Sequence, residues 1–151
     1  MKNLAFKKYL TGQFNETSTG NFLNECRNCD HAFFCNQAED CEYSIRANNG
    51  KNCFFYTIFG NNVELVYNSQ TTGHNVYNVK FSLGCFVNVR DLEYCMHVGF
   101  GSNNCFGSIG LRKKEFCILN KQYAKDEYFD LLARIKKHML ATGEYGKWFP
   151  N

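Results

Sequence analysis

A cysteine repeat between Cys85 and Asn120 constrains this chain more than any other feature of its sequence. Cys85, Cys95, Cys105 and Cys117 each open a short apolar segment, ten or twelve residues after the last, with Gly, Asn or charged residues between the segments. Regular spacing of this kind is typical of repeat architectures, in which each repeat packs only on its neighbours. The repeat therefore describes how the chain is built rather than a reaction that it catalyses.

Two series of positions recur every 20–22 residues and interleave at about half that period. The first series is Cys41, Val63, Cys85 and Cys105, and the second is Cys53, Asn75, Cys95 and Cys117. This pattern predicts a flattened, two-sided β-solenoid, in which equivalent residues of successive coils stack into ladders. Cysteine suits a ladder because it is small, apolar and often fully buried. An ordinary β-sandwich with evenly spaced strands is the alternative.

The fold class that we predict is mainly β, with about four coils of 20–22 residues and a helical C-terminal cap. Residues 1–20 form an N-terminal arm or cap, residues 21–122 the solenoid, and residues 123–151 the cap helix with an aromatic tail. Alternating Cys85, Val87 and Val89 support a strand. The predicted helix places five apolar residues on one face, and these are Tyr128, Leu131, Leu132, Ile135 and Met139.

The block Leu119-Asn120-Lys121-Gln122-Tyr123, with Glu127 and Tyr128 after it, resembles part of a known group of sequences. The group consists of uncharacterised bacterial cysteine-rich repeat proteins from environmental genomes, whose repeats end in a block similar to LRNKKYCILNKQYTKEEY. The resemblance spans roughly residues 20–150 and implies a β-solenoid-like fold, without a defined activity. Ala124 departs from the group, which has Thr there, so the Thr-x-x-Glu capping box to Glu127 is lost.

Four cysteines near the N-terminus are candidate metal ligands. Cys26 and Cys29 have the Cys-x2-Cys spacing that lets two thiolates meet at one zinc ion, and Cys35 and Cys41 could complete a tetrahedral site. His31 lies between them. The second Cys-x2-Cys that usually accompanies such a site does not follow, and these residues also fit the irregular first positions of the ladder. We therefore expect no cofactor, with zinc as the alternative.

Catalysis by a cysteine with a histidine base is a further candidate, through Cys95 with His97 or His74. Cys95 is in register with the other ladder positions, which predicts a buried, inert thiol. We therefore expect no catalytic residues and no enzyme activity.

Two surface features suggest binding. If the ladder residues point inward, Phe86, Met96 and Phe106 point outward and form an apolar face for another protein, a glycan or a second copy. The basic corner Arg112, Lys113 and Lys114 suggests nucleic acid, but neighbouring carboxylates dilute its charge.

The net charge of +3 is too small to favour nucleic acid or membranes. No secretory signal or run of eighteen apolar residues occurs, and nine cysteines then indicate free thiols in a reducing cytoplasm. We expect a non-enzymatic binding, scaffold or self-assembling structural repeat protein, whose partner is an unidentified protein or itself. A small zinc-binding regulatory module is the alternative, with nucleic-acid binding less favoured and no membrane contact.

Overall fold

A computed structural model describes residues 12–43, 45, 64–70 and 74–147 of the chain. We call residues 12–43 and 45 the N-terminal section and residues 64–70 and 74–147 the C-terminal section. The strands of the N-terminal section are β1 (Gly12–Gln13), β2 (Gly20–Asn21), β3 (Leu23–Asn24) and β4 (Ala32–Phe33). The C-terminal section contains β5 (Glu64–Tyr67), β6 (Val76–Lys80), β7 (Val89–Glu93), β8 (Asn103–Phe106), β9 (Glu115–Ile118), β10 (Lys121–Gln122) and the helix α1 (Lys125–Ala141). Among the described residues, no helix has the length and apolar character that a membrane span requires.

The N-terminal section is a solenoid in which Asn24 and Asn36, 12 residues apart, occupy the same place in successive coils. Parallel bridges join Asn24 to Asn36, Arg27 to Glu39, Asp30 to Glu42 and Phe33 to Ile45, so four sides of one coil pair with the next at three-residue intervals. A residue with positive φ stands at almost every third position and turns the chain from one side to the next. At Gly20 a side chain would collide with the carbonyl oxygen of Ala32, so only glycine fits there.

The C-terminal section has slightly longer coils. Strands β5 to β9 form a parallel sheet in which Val79 pairs with Leu92 and Cys105 pairs with Cys117. The first pair is 13 residues apart and the second is 12 residues apart. The side chains that hydrogen-bond beside these pairs have the same spacings, which are 13 residues for Asn78 and Asp91 and 12 residues for Asn103 and Glu115. The additional residue lies at one corner, where Val87 and Asn88 both have positive φ. Strand β10 pairs antiparallel with β9 and ends the sheet.

A single inward position on each three-residue side builds a narrow core. The buried residues at these positions are Leu23, Cys26, Cys29, Ala32, Cys35, Ala38 and Cys41 in the N-terminal section, and Val66, Ser69, Val76, Val79, Ser82, Cys85, Val89, Leu92, Cys95, Val98, Ser102, Cys105, Ser108 and Cys117 in the C-terminal section. We call residues at equivalent positions in successive coils a column. Small side chains dominate because the coils close too tightly to hold larger ones.

Helix α1 packs on the outer face of the last coils. Its buried Tyr128 joins Phe106 and Ile118 of the sheet in a second apolar cluster. The other four residues of the predicted face, Leu131, Leu132, Ile135 and Met139, pack against this cluster, so the predicted apolar face is confirmed. Ala124 is the N-cap residue of α1 and makes no side-chain cap hydrogen bond, because alanine carries no acceptor.

The predicted mainly β solenoid with a C-terminal helix is confirmed, but the coils are shorter than predicted. About six turns are present in the described part of the chain, against the predicted four. The reason is that the chain returns to the same side after 12 or 13 residues, well before the predicted period is complete. Each described coil therefore has four short sides in place of two facing strands. Residues 12–20, which we assigned to an arm, already belong to the first coil, since Gly12 pairs with Leu23.

The short coil also changes which residues stack on one another in the predicted ladders. Cys85 and Cys105 do not stack: the neighbour of Cys85 is Val98, and Cys105 stacks between Leu92 and Cys117. Cys95 lies in a column with Ser82 and Ser108. Cys41, Cys85, Cys95, Cys105 and Cys117 are nevertheless all buried. Cys53 and Val63 lie outside the described residues.

Candidate functional site: the thiol core and the outer sides

Eight cysteines lie in the described part of the chain, and all eight are buried thiols that form no disulfide with one another. Each thiol donates a hydrogen bond to the carbonyl oxygen two residues earlier, as in Cys29 to Arg27 at 3.3 Å and Cys105 to Asn103 at 3.4 Å. Three inward serines, Ser69, Ser82 and Ser108, make the same contact, and the Ser82 hydroxyl donates to the Lys80 carbonyl at 2.8 Å. The thiols therefore provide hydrogen-bond donors for backbone carbonyl groups of the coil.

Burial also makes these thiols poor nucleophiles. It raises the pKa of Cys85 to about 11 and that of Cys105 to about 12. For Cys29, the hydrogen bond with the Cys41 thiol is the main cause of a raised pKa, and burial adds to it. Because the thiolate is the nucleophilic form of cysteine, the protonated state of these residues favours a structural role over a catalytic one.

The four candidate zinc ligands are distributed over three columns of the core. Cys29 and Cys41 share one column, Cys26 stacks on Ala38, and Cys35 stacks on Leu23. Within residues 12–43, 45, 64–70 and 74–147, no group of three or more His, Cys, Asp or Glu side chains is placed to hold a metal ion. His31 lies on the outside, where its imidazole contacts Asp30 and stacks on Tyr43.

The candidate catalytic pair is not brought together. Cys95 is buried in the core, whereas His97, two residues later, is exposed on the outer surface beside Gly84 of the preceding coil. His74 is also exposed and lies at another corner. His97 itself has positive φ and is a corner residue of the coil, whereas Cys95 occupies an inward position.

The predicted apolar face does not exist as one surface. Phe86 is aligned with Gly99 and Arg112, Met96 with Leu83 and Ile109, and Phe106 with Glu93 and Ile118, so the three residues lie on three sides of the coil. Phe106 is buried beneath α1. The error follows from the coil length, because ten-residue spacing does not return to the same side of a 13-residue coil.

The basic corner is exposed and partly engaged with aromatic rings. Arg112, Lys113 and Lys114 are all exposed, and the Arg112 guanidinium lies 4.7 Å from the centre of the Phe100 ring. Phe100 in turn contacts Phe86 edge to face at 5.8 Å. The guanidinium thus covers ring surface on which a base could otherwise stack.

A different apolar surface, which the spacing of the cysteines does not predict, lies on one side of the N-terminal section. The rings of Phe22 and Phe34 stack at 4.6 Å with 5° between their planes. Phe33 and Ile45 are neighbours in the adjacent column. These four residues are 41–55% exposed, and we call them the apolar side. The equal spacing of Phe22 from Phe34 and of Phe33 from Ile45, one coil in each case, was the signal that could have revealed it.

Comparison with known protein families gives no match, and no curated protein matches the sequence either. The resemblance to bacterial cysteine-rich repeat proteins therefore stays a prediction.

Proposed function

We propose that this chain is a non-enzymatic binding or assembly module, and that the apolar side of its N-terminal section is the contact surface. The observation that carries the proposal is the exposed, stacked pair Phe22 and Phe34, with Phe33 and Ile45 beside it. Contiguous exposed apolar residues on a soluble repeat are typical of protein contact sites. Buried protonated thiols on the inside leave binding to the outer sides.

The orientation of the rings favours a protein partner over a glycan. Phe22 and Phe34 stack face to face, so each ring covers one face of the other. Sugars pack on the faces of aromatic rings, whereas ring edges with aliphatic neighbours fit between the side chains of another protein. A second copy of this chain is one such protein, since it presents the same spacing between coils.

Sedimentation velocity over a range of protein concentrations tests the proposal. We expect the wild type to form a defined oligomer, and the double variant Phe22→Ser, Phe34→Ser to sediment as a monomer. Phe14→Ser is the matched control, because Phe14 is exposed in the same section at a position aligned with Glu25, away from the apolar side. Equal masses for wild type and double variant at every concentration would contradict assembly through the apolar side.

The zinc-binding alternative is tested on the same sample by native mass spectrometry. If the module does not depend on metal, the reduced protein has its sequence mass. A bound zinc ion that disappears in Cys26→Ser or Cys29→Ser would favour the regulatory metal module instead.

A further inference from the structure

A small pocket lies between α1 and the outer face of the sheet, in a part of the molecule distinct from the apolar side. Its volume is about 150 Å³. Strands β6, β7 and β8 form its floor, and one face of α1 forms its roof. The residues that line it are Asn78, Asp91, Glu93, Asn104, Cys105, Phe106, Tyr128, Phe129, Leu132 and Lys136.

Some of the polar groups in this pocket already have partners. Lys136 Nζ lies 2.7 Å from Glu93 Oε1, and the Tyr145 hydroxyl donates to Glu93 Oε2 at 3.2 Å. Lys80, which lies outside the pocket, is a second cation at 3.9 Å from Glu93. The negative charge of Glu93 is therefore matched within the protein.

Three other polar groups are not matched. Asp91 accepts a hydrogen bond from Asn78 at one carboxylate oxygen only. The Asn104 amide and the Tyr128 hydroxyl have no hydrogen-bond partner among the described residues. Tyr128 is only 2% exposed, and a buried hydroxyl without a partner costs free energy. Burial raises the pKa of Tyr128, with the nearby Cys105 and Cys95 thiols and the Glu93 and Asp91 carboxylates adding to the effect, so the hydroxyl stays protonated.

We propose that this pocket binds a primary ammonium group on a short alkyl chain. An ammonium has three N–H donors, and the three unmatched groups each offer an oxygen that can accept one. The charge of Asp91 is the one unmatched charge in the wall, and an ammonium neutralises it. The rings of Phe106 and Phe129 and the side chain of Leu132 supply apolar contacts for the alkyl chain.

The volume limits the size of the ligand. At about 30 Å³ for each water-sized group, the pocket holds about five such groups. The n-butylammonium ion has that number of non-hydrogen atoms and is the end of a lysine side chain. The shared chemistry therefore fits either a small free amine or a lysine of another chain.

NMR titration of the full chain with n-butylammonium chloride, at constant ionic strength, tests the proposal. We expect saturable shifts of the Asn104 side-chain amide, with a Kd on the order of millimolar for so small a ligand. Neutral n-butanol, which matches its size, serves as the control ligand and produces no saturable shift. Nα-acetyl-lysinamide, titrated in parallel, distinguishes the two sources: tighter binding than n-butylammonium indicates a lysine side chain, and weaker binding indicates a free amine.

Two substitutions locate the site. Asp91→Asn removes the charge and Tyr128→Phe removes the hydroxyl, and each raises the Kd about tenfold or more. Asp126→Asn removes the same charge from the exposed first turn of α1 and leaves the Kd unchanged. Equal binding of n-butanol, the absence of saturation (a pocket that holds water only), or an unchanged Kd in Asp91→Asn would each overturn the proposal.

Discussion

Each inward cysteine of the described solenoid, like most of its inward serines, donates to the carbonyl group of the residue two positions before it. Ser102 is the exception and donates to Gly99, three positions before it. A residue with positive φ stands between each cysteine and its carbonyl partner, as Asn104 does between Asn103 and Cys105, and this geometry brings the carbonyl within reach of the thiol. The left-handed conformation costs about 1 kcal/mol for most residues. The repeated hydrogen bonds and the burial of the next inward side chain offset that cost.

The column in which a cysteine lies determines how much its replacement by serine lowers the free energy of unfolding. Cys95 stacks between Ser82 and Ser108, whereas Cys105 stacks between Leu92 and Cys117. We expect Cys95→Ser to lower the free energy of unfolding by less than about 1 kcal/mol, and Cys105→Ser by about 1–3 kcal/mol, because only the second places a hydroxyl among apolar neighbours. Urea unfolding measures both values. A larger loss for Cys95→Ser than for Cys105→Ser would show that the columns are assigned incorrectly.

The raised thiol pKa values predict that stability falls in alkaline solution. The pKa of Cys85 rises from 9.0 to about 11 and that of Cys105 to about 12, so above pH 9 the unfolded chain loses these protons while the folded chain keeps them. Proton loss then favours the unfolded state, and each thiol lowers the free energy of unfolding by about 1.4 kcal/mol per pH unit up to its folded pKa.

Urea unfolding between pH 9 and 11 measures this slope. Lysine and tyrosine also titrate in this range, so the informative quantity is the difference between the wild type and Cys85→Ala. We expect a shallower slope for the variant. Identical slopes would mean that burial does not raise the pKa of the Cys85 thiol.

At the scale of the element, α1 is joined to the sheet by apolar contacts and by one buried carboxylate. Glu93, at the end of β7, is 8% exposed and contacts Lys136 of the helix and Tyr145 beyond it. Tyr145 also packs its ring against Phe81 and Tyr94. The Gly146 amide donates to the Tyr94 hydroxyl at 2.6 Å, so the residues after α1 hold its C-terminal end on the sheet.

Replacing this carboxylate should loosen the helix. Glu93→Gln removes the charge that faces Lys136, and we expect it to lower the free energy of unfolding by about 1–3 kcal/mol. Amide hydrogen exchange should accelerate in α1 more than in β6 or β7. Glu127→Gln, on the exposed first turn of α1, is the matched control and should change neither quantity appreciably. Similar exchange rates for the two variants would contradict a buried ion pair at Glu93.

The sequence was a reliable guide to α1 and a poorer one to the strands. Apolar residues such as Tyr128, Leu132 and Ile135 follow the helical period closely, and few other structures produce that pattern. Alternation of Cys85, Val87 and Val89 predicted one continuous strand. Val87 is instead a left-handed corner residue, and β7 begins at Val89. In a coil with three-residue sides every third residue points inward, and a search for alternating apolar residues does not detect that period.

At the scale of the whole molecule, the cysteines revealed the inward positions but not the coil length. Cys85, Cys95 and Cys105 are evenly spaced, and the spacing equals one 13-residue coil less one three-residue side. Each cysteine therefore lies one side back from the previous one, and Val, Ser, Ala or Leu fills the positions between them. Because these small residues replace one another freely in the core, the spacing of cysteine alone could not identify the columns.

Predicting which residues meet on the outer surface of the coils also requires the coil length. The apolar side requires a short register that brings Phe22 over Phe34, and the pocket beneath α1 requires Asp91 and Asn104 to be neighbours in successive coils. The longer period that the cysteine series suggested predicts neither surface. The proposed contact surface and the proposed ammonium site thus both depend on the length of the coil.

Backbone NOEs in isotopically labelled protein test that length most directly. Tyr94 N–H donates to the Lys80 carbonyl at 3.1 Å, so the short register predicts NOEs from the Tyr94 amide proton to the backbone of Phe81. The same register predicts none between the backbones of Cys85 and Cys105. Strong NOEs between Cys85 and Cys105, with none between Tyr94 and Phe81, would contradict the short coil and both surfaces that depend on it.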